Sequence, residues 1–359
     1  MANKTHRILV INPGSTSTKV AVFEDDTLLC QRTIRHSPEE FAHLPGMLDQ
    51  KGMRTKLVES FLKDEKIDIN SLSAVVGRGG LIKHIPSGTY EVNDAMLADL
   101  GKPFATGHAS SLGGVIAREI SAKVGIPAFT VDPVTVNEME PVAKISGNPL
   151  VPRRGIFHAL NTKAIARRAA ADLGGSYADF RFILVHLGGG VSVGAHRYGR
   201  VIDVNDALYG EGPFSPERSG GVPLYELIQL CYSGDYTEAE VLSYLNRRGG
   251  LMAYLGTTDF VKIEQMIADG DEKAARVVDA MVYQIAKEVG AMHVVLDGEV
   301  DAIVMTGGLA YSQRFTGLIR EHTRFIAPAL VYPGEDEMIA LAQGALRVLN
   351  GEERAAIYK

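Results

Sequence analysis

The residues best suited to chemistry lie near the start of the chain, in Asn12-Pro13-Gly14-Ser15-Thr16-Ser17-Thr18-Lys19. Gly14 allows close backbone approach, consecutive N–H groups can form an anion nest, and the hydroxyls of Ser15, Thr16 and Ser17 add neutral donors. Lys19 supplies a point charge. Phosphate is the ligand such a turn suits, although a polar hairpin turn has the same composition. It is not a Walker A loop: the G-x-x-x-x-G-K-[ST] pattern is absent, and an apolar strand follows the lysine.

Further candidates lie downstream. Arg78 sits in Val-Gly-Arg-Gly-Gly, flanked by glycines that leave it accessible, and Arg218 emerges from a loop too rich in Gly and Pro for regular structure. Loops on rigid scaffolds concentrate function, although most arginines are plain surface residues. His158 stands at an expected helix start, and His186 ends an apolar strand just before Gly188, Gly189 and Gly190. A lone histidine in either place is also an ordinary core residue. Asp132 follows the strand at 127–131, where it caps a turn or orients a cation. The segment Gly107-His108-Ala109-Ser110-Ser111 reads as a helix start with Ser110 or Ser111 as cap. No HExxH, Ser/His/Asp order or paired Cys/His spacing supports zinc or hydrolytic chemistry.

The elements that must hold these residues repeat. The runs at 8–11 and 20–23, rich in β-branched residues, predict strand, tight turn, strand, and 182–193 has the same form with His186 placed where Asn12 stands. A second pair, 72–81 and 300–309, is in each case an apolar strand entering a Gly-Gly turn. Two copies of one α/β unit account for both pairs, the second carrying an insertion of about fifty residues. That insertion is expected at about 205–295, where 224–230, 238–246, 261–267 and 272–295 show helical apolar spacing. The Pro/Gly-rich stretch 144–155 reads as the seam between copies, followed by a helix from about His158 to Leu173. Two such lobes with facing glycine turns make a cleft, the usual place for a ligand.

At 359 residues the chain exceeds what one core usually serves. Its 46% hydrophobic and 22% charged composition is that of an ordinary globular protein. A net charge of -6 with no Lys/Arg run longer than two argues against nucleic acid or an anionic membrane surface. The apolar run after Arg7 is too short for a secretory signal, and no stretch approaches a membrane span. Cys30 and Cys231 have no CxxC partner, fit a reducing cytoplasm and read as small core residues.

In order along the chain, the Asn12 to Lys19 turn, the Arg78 turn, Val131-Asp132-Pro133, Arg154-Gly155-Ile156-Phe157-His158, the His186 to Gly190 turn, Arg218-Ser219-Gly220, Asp301-Ala302-Ile303-Val304-Met305-Thr306-Gly307-Gly308 and Glu335-Asp336-Glu337 form one set. The set resembles the acetate and butyrate kinase family of the acetokinase, Hsp70 and actin superfamily, across nearly the whole chain. The resemblance implies an α/β fold of two duplicated actin/Hsp70-like (ribonuclease H-like) lobes with a cleft between them. The lobes are expected at 1–149, joined by a C-terminal helix near 338–359, and at 150–337.

The same resemblance implies roles for individual residues. Asn12, Ser15, Ser17 and Lys19 would line the phosphate and metal side. Arg78 and Arg218 would clamp the substrate carboxylate and the transferring phosphoryl group, with His158 as a transition-state hydrogen bonder. His186, Gly188, Gly189 and Gly190 would form the second phosphate loop, and Gly307, Gly308, Leu309 and Ala310 the adenosine-binding turn. Asp132 and Glu337 would position Mg2+, with Glu335 and Asp336 competing for the second place. ATP/ADP and Mg2+ are the implied cofactors. A short-chain carboxylic acid or acyl phosphate is the implied substrate, and further copies of the chain, as a homodimer or higher homo-oligomer, the implied partners.

Three departures favour the butyrate branch of the family. Asp132 lacks a following Thr-Ala-Phe-His, His158 continues Ala-Leu-Asn where acetate kinases have Gly-Thr-Ser, and Gly189 replaces asparagine. Pro13 and the shorter chain point the same way. The implied reaction is reversible in-line transfer between ATP and butyrate, giving ADP and butyryl phosphate. Kinases for isobutyrate, propionate or acetate, a non-kinase ATPase scaffold and a phosphatase on the same fold are the alternatives. A short aliphatic acid, with a pKa near the 4.3 of Glu, is already ionised at neutral pH and needs no general base. Two anions must meet, so cations matter more than an acid/base pair.

Overall fold

The computed structural model describes residues 5–41, 44, 46–102 and 109–359, and of Pro38 only the backbone. Gly107 and His108 of the expected helix start therefore lie outside the described residues. The chain forms two compact units, Met1–Val136 with Asp336–Lys359, and Asn137–Glu335. The first crossing precedes the Pro/Gly-rich stretch 144–155. Residues 137–149 pack with the second unit, where Glu140 N–H donates to the Ile202 carbonyl and Met139 lies against Gly155.

Unit 1 is built on a seven-stranded sheet in the order β12-β5-β6-β4-β1-β2-β3. Its strands are β1 (Arg7–Pro13), β2 (Ser17–Glu24), β3 (Thr27–Arg35), β4 (Ala74–Gly77), β5 (Thr89–Glu91), β6 (Ala128–Val131) and β12 (Ala356–Ile357). β1, β2 and β3 form an antiparallel meander, and β4 joins β1 in parallel. Unit 2 repeats this plan. β7 (Arg181–Leu187), β8 (Val191–Arg197) and β9 (Arg200–Val204) form the meander, β10 (Ala302–Gly307) lies parallel to β7, and β11 (Ala329–Pro333) lies parallel to β10. The central strands are apolar on both sides because helices cover both faces, as their continuous Ile/Leu/Val runs require. Ile8, Leu9, Val10 and Ile11 are all fully buried.

Between β9 and β10 lie the helices of the insertion, Leu224–Cys231, Glu238–Asn246, Gly250–Leu255, Phe260–Ala268 and Glu272–Val295. The last is capped by Asp271, which accepts from the Ala274 N–H. It buries Val278, Met281, Val282, Ile285, Val289 and Met292 at the spacing of one helix face. The apolar run 249–255 divides: Leu251 is fully buried while Tyr254 is exposed. Helix Leu224–Cys231 instead buries none of its residues, although it carries Leu224, Tyr225, Leu227 and Ile228. Cys231, expected in the core, is exposed on this helix, and Cys30 is half-buried.

Helix Ser111–Val124 packs its start on the end of β4. Ser110 occupies the cap position in helical conformation and makes no side-chain capping bond. The contact is backbone to backbone. A Cβ on Gly77 would lie 2.0 Å from the Gly113 carbonyl oxygen, and one on Gly113 would lie 2.4 Å from that of Arg78. Among the described residues, no helix is long and apolar enough to cross a membrane.

Candidate active site

In unit 1 the hairpin register pairs Asn12 with Lys19 and Pro13 with Thr18. The Gly14 N–H donates to the Ser17 carbonyl at 2.7 Å, which leaves Ser15 and Thr16 as an exposed tip. Gly14 lies outside the left-handed region, and its N–H is committed inside the hairpin. It therefore contributes nothing to an anion nest, and the tip N–H groups and hydroxyls are what the turn has to offer. Lys19 is exposed and makes no ion pair among the described residues.

Arg78 stands one residue beyond β4, its N–H held by the Ile11 carbonyl. Its guanidinium grips Glu337 in a bidentate pair, with Nη1 2.7 Å from Oε2 and Nη2 2.7 Å from Oε1. Such fork-to-fork geometry is what carboxylate recognition uses. Asn12 Nδ2 donates to the same Glu337 oxygen at 2.8 Å. Glu337 opens helix Glu337–Leu349, where a carboxylate also complements the positive end of the helix dipole. That helix seats close on β6, since a Cβ on Gly344 would lie 2.4 Å from Val131 Cγ2.

Asp132 is buried, with a φ of 38°. Its Oδ1 accepts from Ser87 Oγ at 2.5 Å and from the Gly88 N–H at 2.8 Å, so it caps the loop before β5 and not the turn that follows it in sequence.

In unit 2 His158 caps helix Ala159–Asp172, and His186 lies one residue before the end of β7. Their rings stack with centroids 3.8 Å apart and planes 13° from parallel. Nδ1 of His158 lies 2.8 Å from Ser192 Oγ, and Nδ1 of His186 lies 2.7 Å from Asn161 Oδ1. Nε2 of His186 lies 3.3 Å from Glu335 Oε1, and a Cβ on Gly188 would approach that nitrogen to 2.7 Å. The three acids at 335–337 thus divide: Glu335 attends His186 in unit 2, and Glu337 attends Arg78 in unit 1.

The Gly188–Gly190 turn is tied to Arg218 through Ser215. Ser215 Oγ donates to the Gly189 carbonyl at 2.6 Å and accepts from the Arg218 N–H at 3.1 Å. The Arg218 side chain fills the space over Gly190, where a Cβ would lie 2.0 Å from Nη1. Its guanidinium donates to the Ala207 carbonyl at 2.6 Å and has no carboxylate within ion-pair distance among the described residues. Burial lowers the pKa of Arg218, opposed by the field of Glu217 and Asp206. Burial in turn raises that of Asp206.

Gly307 closes β10 at φ 96°, where a Cβ would strike the Leu187 carbonyl at 2.4 Å. Gly308 faces open space, while Leu309 and Ala310 turn their side chains into the core. That turn presents backbone and not side chains.

The structure therefore brings together Asn12, Arg78 and Glu337 in unit 1, and His158, His186 and the Gly190–Arg218 pair in unit 2. Asp132 is engaged separately with Ser87 and Gly88. Asn161 and Ser192 are absent from the sequence-derived set. Their signals were present: Asn161 is three residues after His158 on the same helix face, and Ser192 is the hairpin partner of His186.

The fold superposes on known kinases. The crystal structure of Porphyromonas gingivalis acetate kinase matches with a TM-score of 0.79 at 21% identity, over 96% of this chain and 100% of that one. A propionate kinase from Francisella tularensis matches with a TM-score of 0.76 at 19% identity, over 94% and 98%. The fold is actin/Hsp70-like, with one mixed sheet in each unit. The model of the acetokinase family matches residues 142–322. Butyrate kinase 1 of Clostridium acetobutylicum is 50% identical over 354 residues, which cover 99% of this chain and 100% of that protein. The chain belongs to the acetokinase family.

Proposed function

We propose that this kinase phosphorylates butyrate reversibly with ATP, giving butyryl phosphate and ADP by direct in-line transfer. The observation that carries the reading is Arg218, a half-buried cation with no carboxylate within ion-pair distance among the described residues, beside a glycine turn with the composition of a phosphate loop. A guanidinium in that state gains most from an arriving phosphoryl group, because charge developing on the equatorial oxygens meets a preorganised donor. Arg78, built for a carboxylate, is the complement. In the reading it takes the substrate carboxylate, with Asn12, Ser15, Ser17 and Lys19 as the phosphate turn of unit 1. His158, fixed by Ser192, donates to the group in transfer. His186 with Gly188, Gly189 and Gly190 holds nucleotide phosphate, and the backbone of 307–310 receives the adenosine.

Mg2+ suits the hard oxygen donors Asp132 and Glu337, with phosphate oxygens and water left to complete its shell. No group of three or more His, Cys, Asp or Glu forms a ready metal cage among the described residues. One or two carboxylates plus phosphates are what Mg2+ usually takes. Mg2+ would neutralise phosphate charge there; Glu337, held by Arg78 and Asn12, and Asp132, held by Ser87 and Gly88, are the residues that would hold it.

Hydroxamate trapping of the acyl phosphate with acetate, propionate, butyrate and isobutyrate tests the proposal. Two methylenes separate acetate from butyrate, so kcat/KM is expected to favour butyrate by about fifteen-fold, from ~0.8 kcal/mol each. ATP turnover indifferent to every acid would overturn it.

We further propose a homo-oligomer working in the cytoplasm. Leu224, Tyr225, Ile228 and Tyr232 are 75%, 70%, 52% and 87% exposed, which gives an apolar surface that a second copy would cover. Light scattering is expected to give a mass at least twice that of one chain; a monomer at micromolar concentration refutes it.

A further inference from the structure

The largest fully buried side chain that this mechanism leaves unused is Arg54, in helix Lys51–Asp64. An arginine with 0% exposure normally faces a carboxylate. Among the described residues Arg54 has none within ion-pair distance, and its donors go to neutral oxygens. Nε and Nη2 donate to Gln50 Oε1 at 3.2 and 2.9 Å, and Nη1 donates to Thr18 Oγ1 at 2.7 Å and to the Ser17 carbonyl at 3.1 Å. The guanidinium carbon lies 5.1 Å from the Phe41 ring centre. Burial lowers the pKa to about 10, which leaves the group charged at neutral pH.

Both partners of Nη1 belong to the Gly14–Lys19 turn. The Ser17 carbonyl takes the Gly14 N–H and Arg54 together, and the His36 N–H holds the Thr16 carbonyl at 2.9 Å. The Thr18 hydroxyl, accepting from Arg54, passes its own proton toward His36 Nε2 at 2.8 Å. His36 is kept neutral by burial and then by the Arg54 charge. The turn is thus fastened from below at Thr16, Ser17 and Thr18, while among the described residues the side chains of Ser15, Ser17 and Lys19 hold no hydrogen bond or ion pair.

We infer that Arg54 is a positioning residue of the unit 1 phosphate turn: its fork fixes Ser17 and Thr18, and its charge, paired with no carboxylate among the described residues, adds to the field met by a bound anion. The inference rests on the reading of that turn as a phosphate site. A neutral residue of similar bulk would fill the same space but supply neither the fork nor the field.

The test uses the full chain with Arg54→Met, Arg54→Lys and Lys19→Ala, and inorganic phosphate as a competing anion in the acyl-phosphate-forming direction. In folded Arg54→Met, the phosphate inhibition constant is expected to rise about ten-fold or more, and kcat to fall, as for loss of hydrogen bonds from a charged donor. Arg54→Lys keeps charge without the fork, so it is expected to recover much of the phosphate affinity but not kcat. Wild-type constants per mole of folded Arg54→Met, with damage confined to Tm, would make Arg54 a core residue only. If Arg54→Met does not fold, Arg54→Lys decides: wild-type inhibition and kcat there overturn the inference, and a lowered kcat supports it. Lys19→Ala separates the two layers. If it changes neither phosphate inhibition nor turnover, the turn is no phosphate site. If it weakens both while the Arg54 variants match wild type, the present inference alone falls.

Discussion

Arg218→Ala is expected to lower kcat by about three orders of magnitude, while the Kd for ATP stays within a few-fold of wild type. The scale is that of a single cation acting on a phosphoryl transition state, which ranges from about 10² to 10⁵. The structure gives reasons for a loss well inside that range. Arg218 is half-buried, donates to one carbonyl and has no carboxylate within ion-pair distance among the described residues, so its fork is not already spent on a protein carboxylate. Arg218→Lys is expected to restore only part of the loss, because a point charge cannot reproduce planar, two-point contact. Gly190→Ala provides a control that leaves every charge in place. Its methyl would occupy the position of the Arg218 guanidinium, 2.0 Å from Nη1, so it is expected to reproduce much of the defect by displacement. Stopped-flow turnover with equilibrium nucleotide binding checks all three; near-normal turnover of Arg218→Ala would remove Arg218 from the reaction.

The largest stability effect is expected from Gly77→Ala, at about 3 kcal/mol or more. The added methyl meets the oxygen of Gly113 at 2.0 Å, its carbonyl carbon at 2.2 Å and the Gly114 nitrogen at 2.7 Å. All three atoms are helix backbone, so no side-chain rotation relieves the clash and the start of helix Ser111–Val124 must move off the sheet. Arg78 follows immediately, with its carbonyl against Gly113, so surviving folded enzyme is expected to lose activity as well. Gly52→Ala, also a helix-associated glycine, meets nothing within 4 Å and is expected to be neutral or stabilising by up to about 1 kcal/mol. Urea unfolding of the two variants measures the difference. Equal midpoints would mean that the helix is not packed on β4 at backbone contact.

Much of the scaffold was legible in the sequence because it rests on local rules. Alternating blocks of apolar strand and glycine turn gave both hairpins, and the i, i+3, i+4 spacing placed four of the five insertion helices within a few residues of where they lie, helix Gly250–Leu255 being the one it missed. The repeated strand–turn pattern carried the duplicated plan, since each unit buries its sheet in the same way. Cys231 went the other way: it reads as a small core residue, yet it is exposed, because helix Leu224–Cys231 buries none of its residues.

By itself the sequence determined which residue types are available for phosphoryl chemistry, their order and the local elements that carry them. Hydrogen bonds and close approaches between residues far apart in the chain were decided by tertiary structure alone. Glu337 meets Arg78 and Asn12 across more than 250 residues, and Glu335, two positions earlier, turns to His186 instead. No periodicity could divide those two acids, because the division is made by where the chain leaves β11 for helix Glu337–Leu349. Arg54 is the plainest case. In sequence it is one of 37 lysines and arginines, and only the fold buries it beneath the turn at Ser17 and Thr18, with no carboxylate within ion-pair distance among the described residues. Desolvation and the geometry of its fork, both properties of three-dimensional surroundings, give that side chain its consequence.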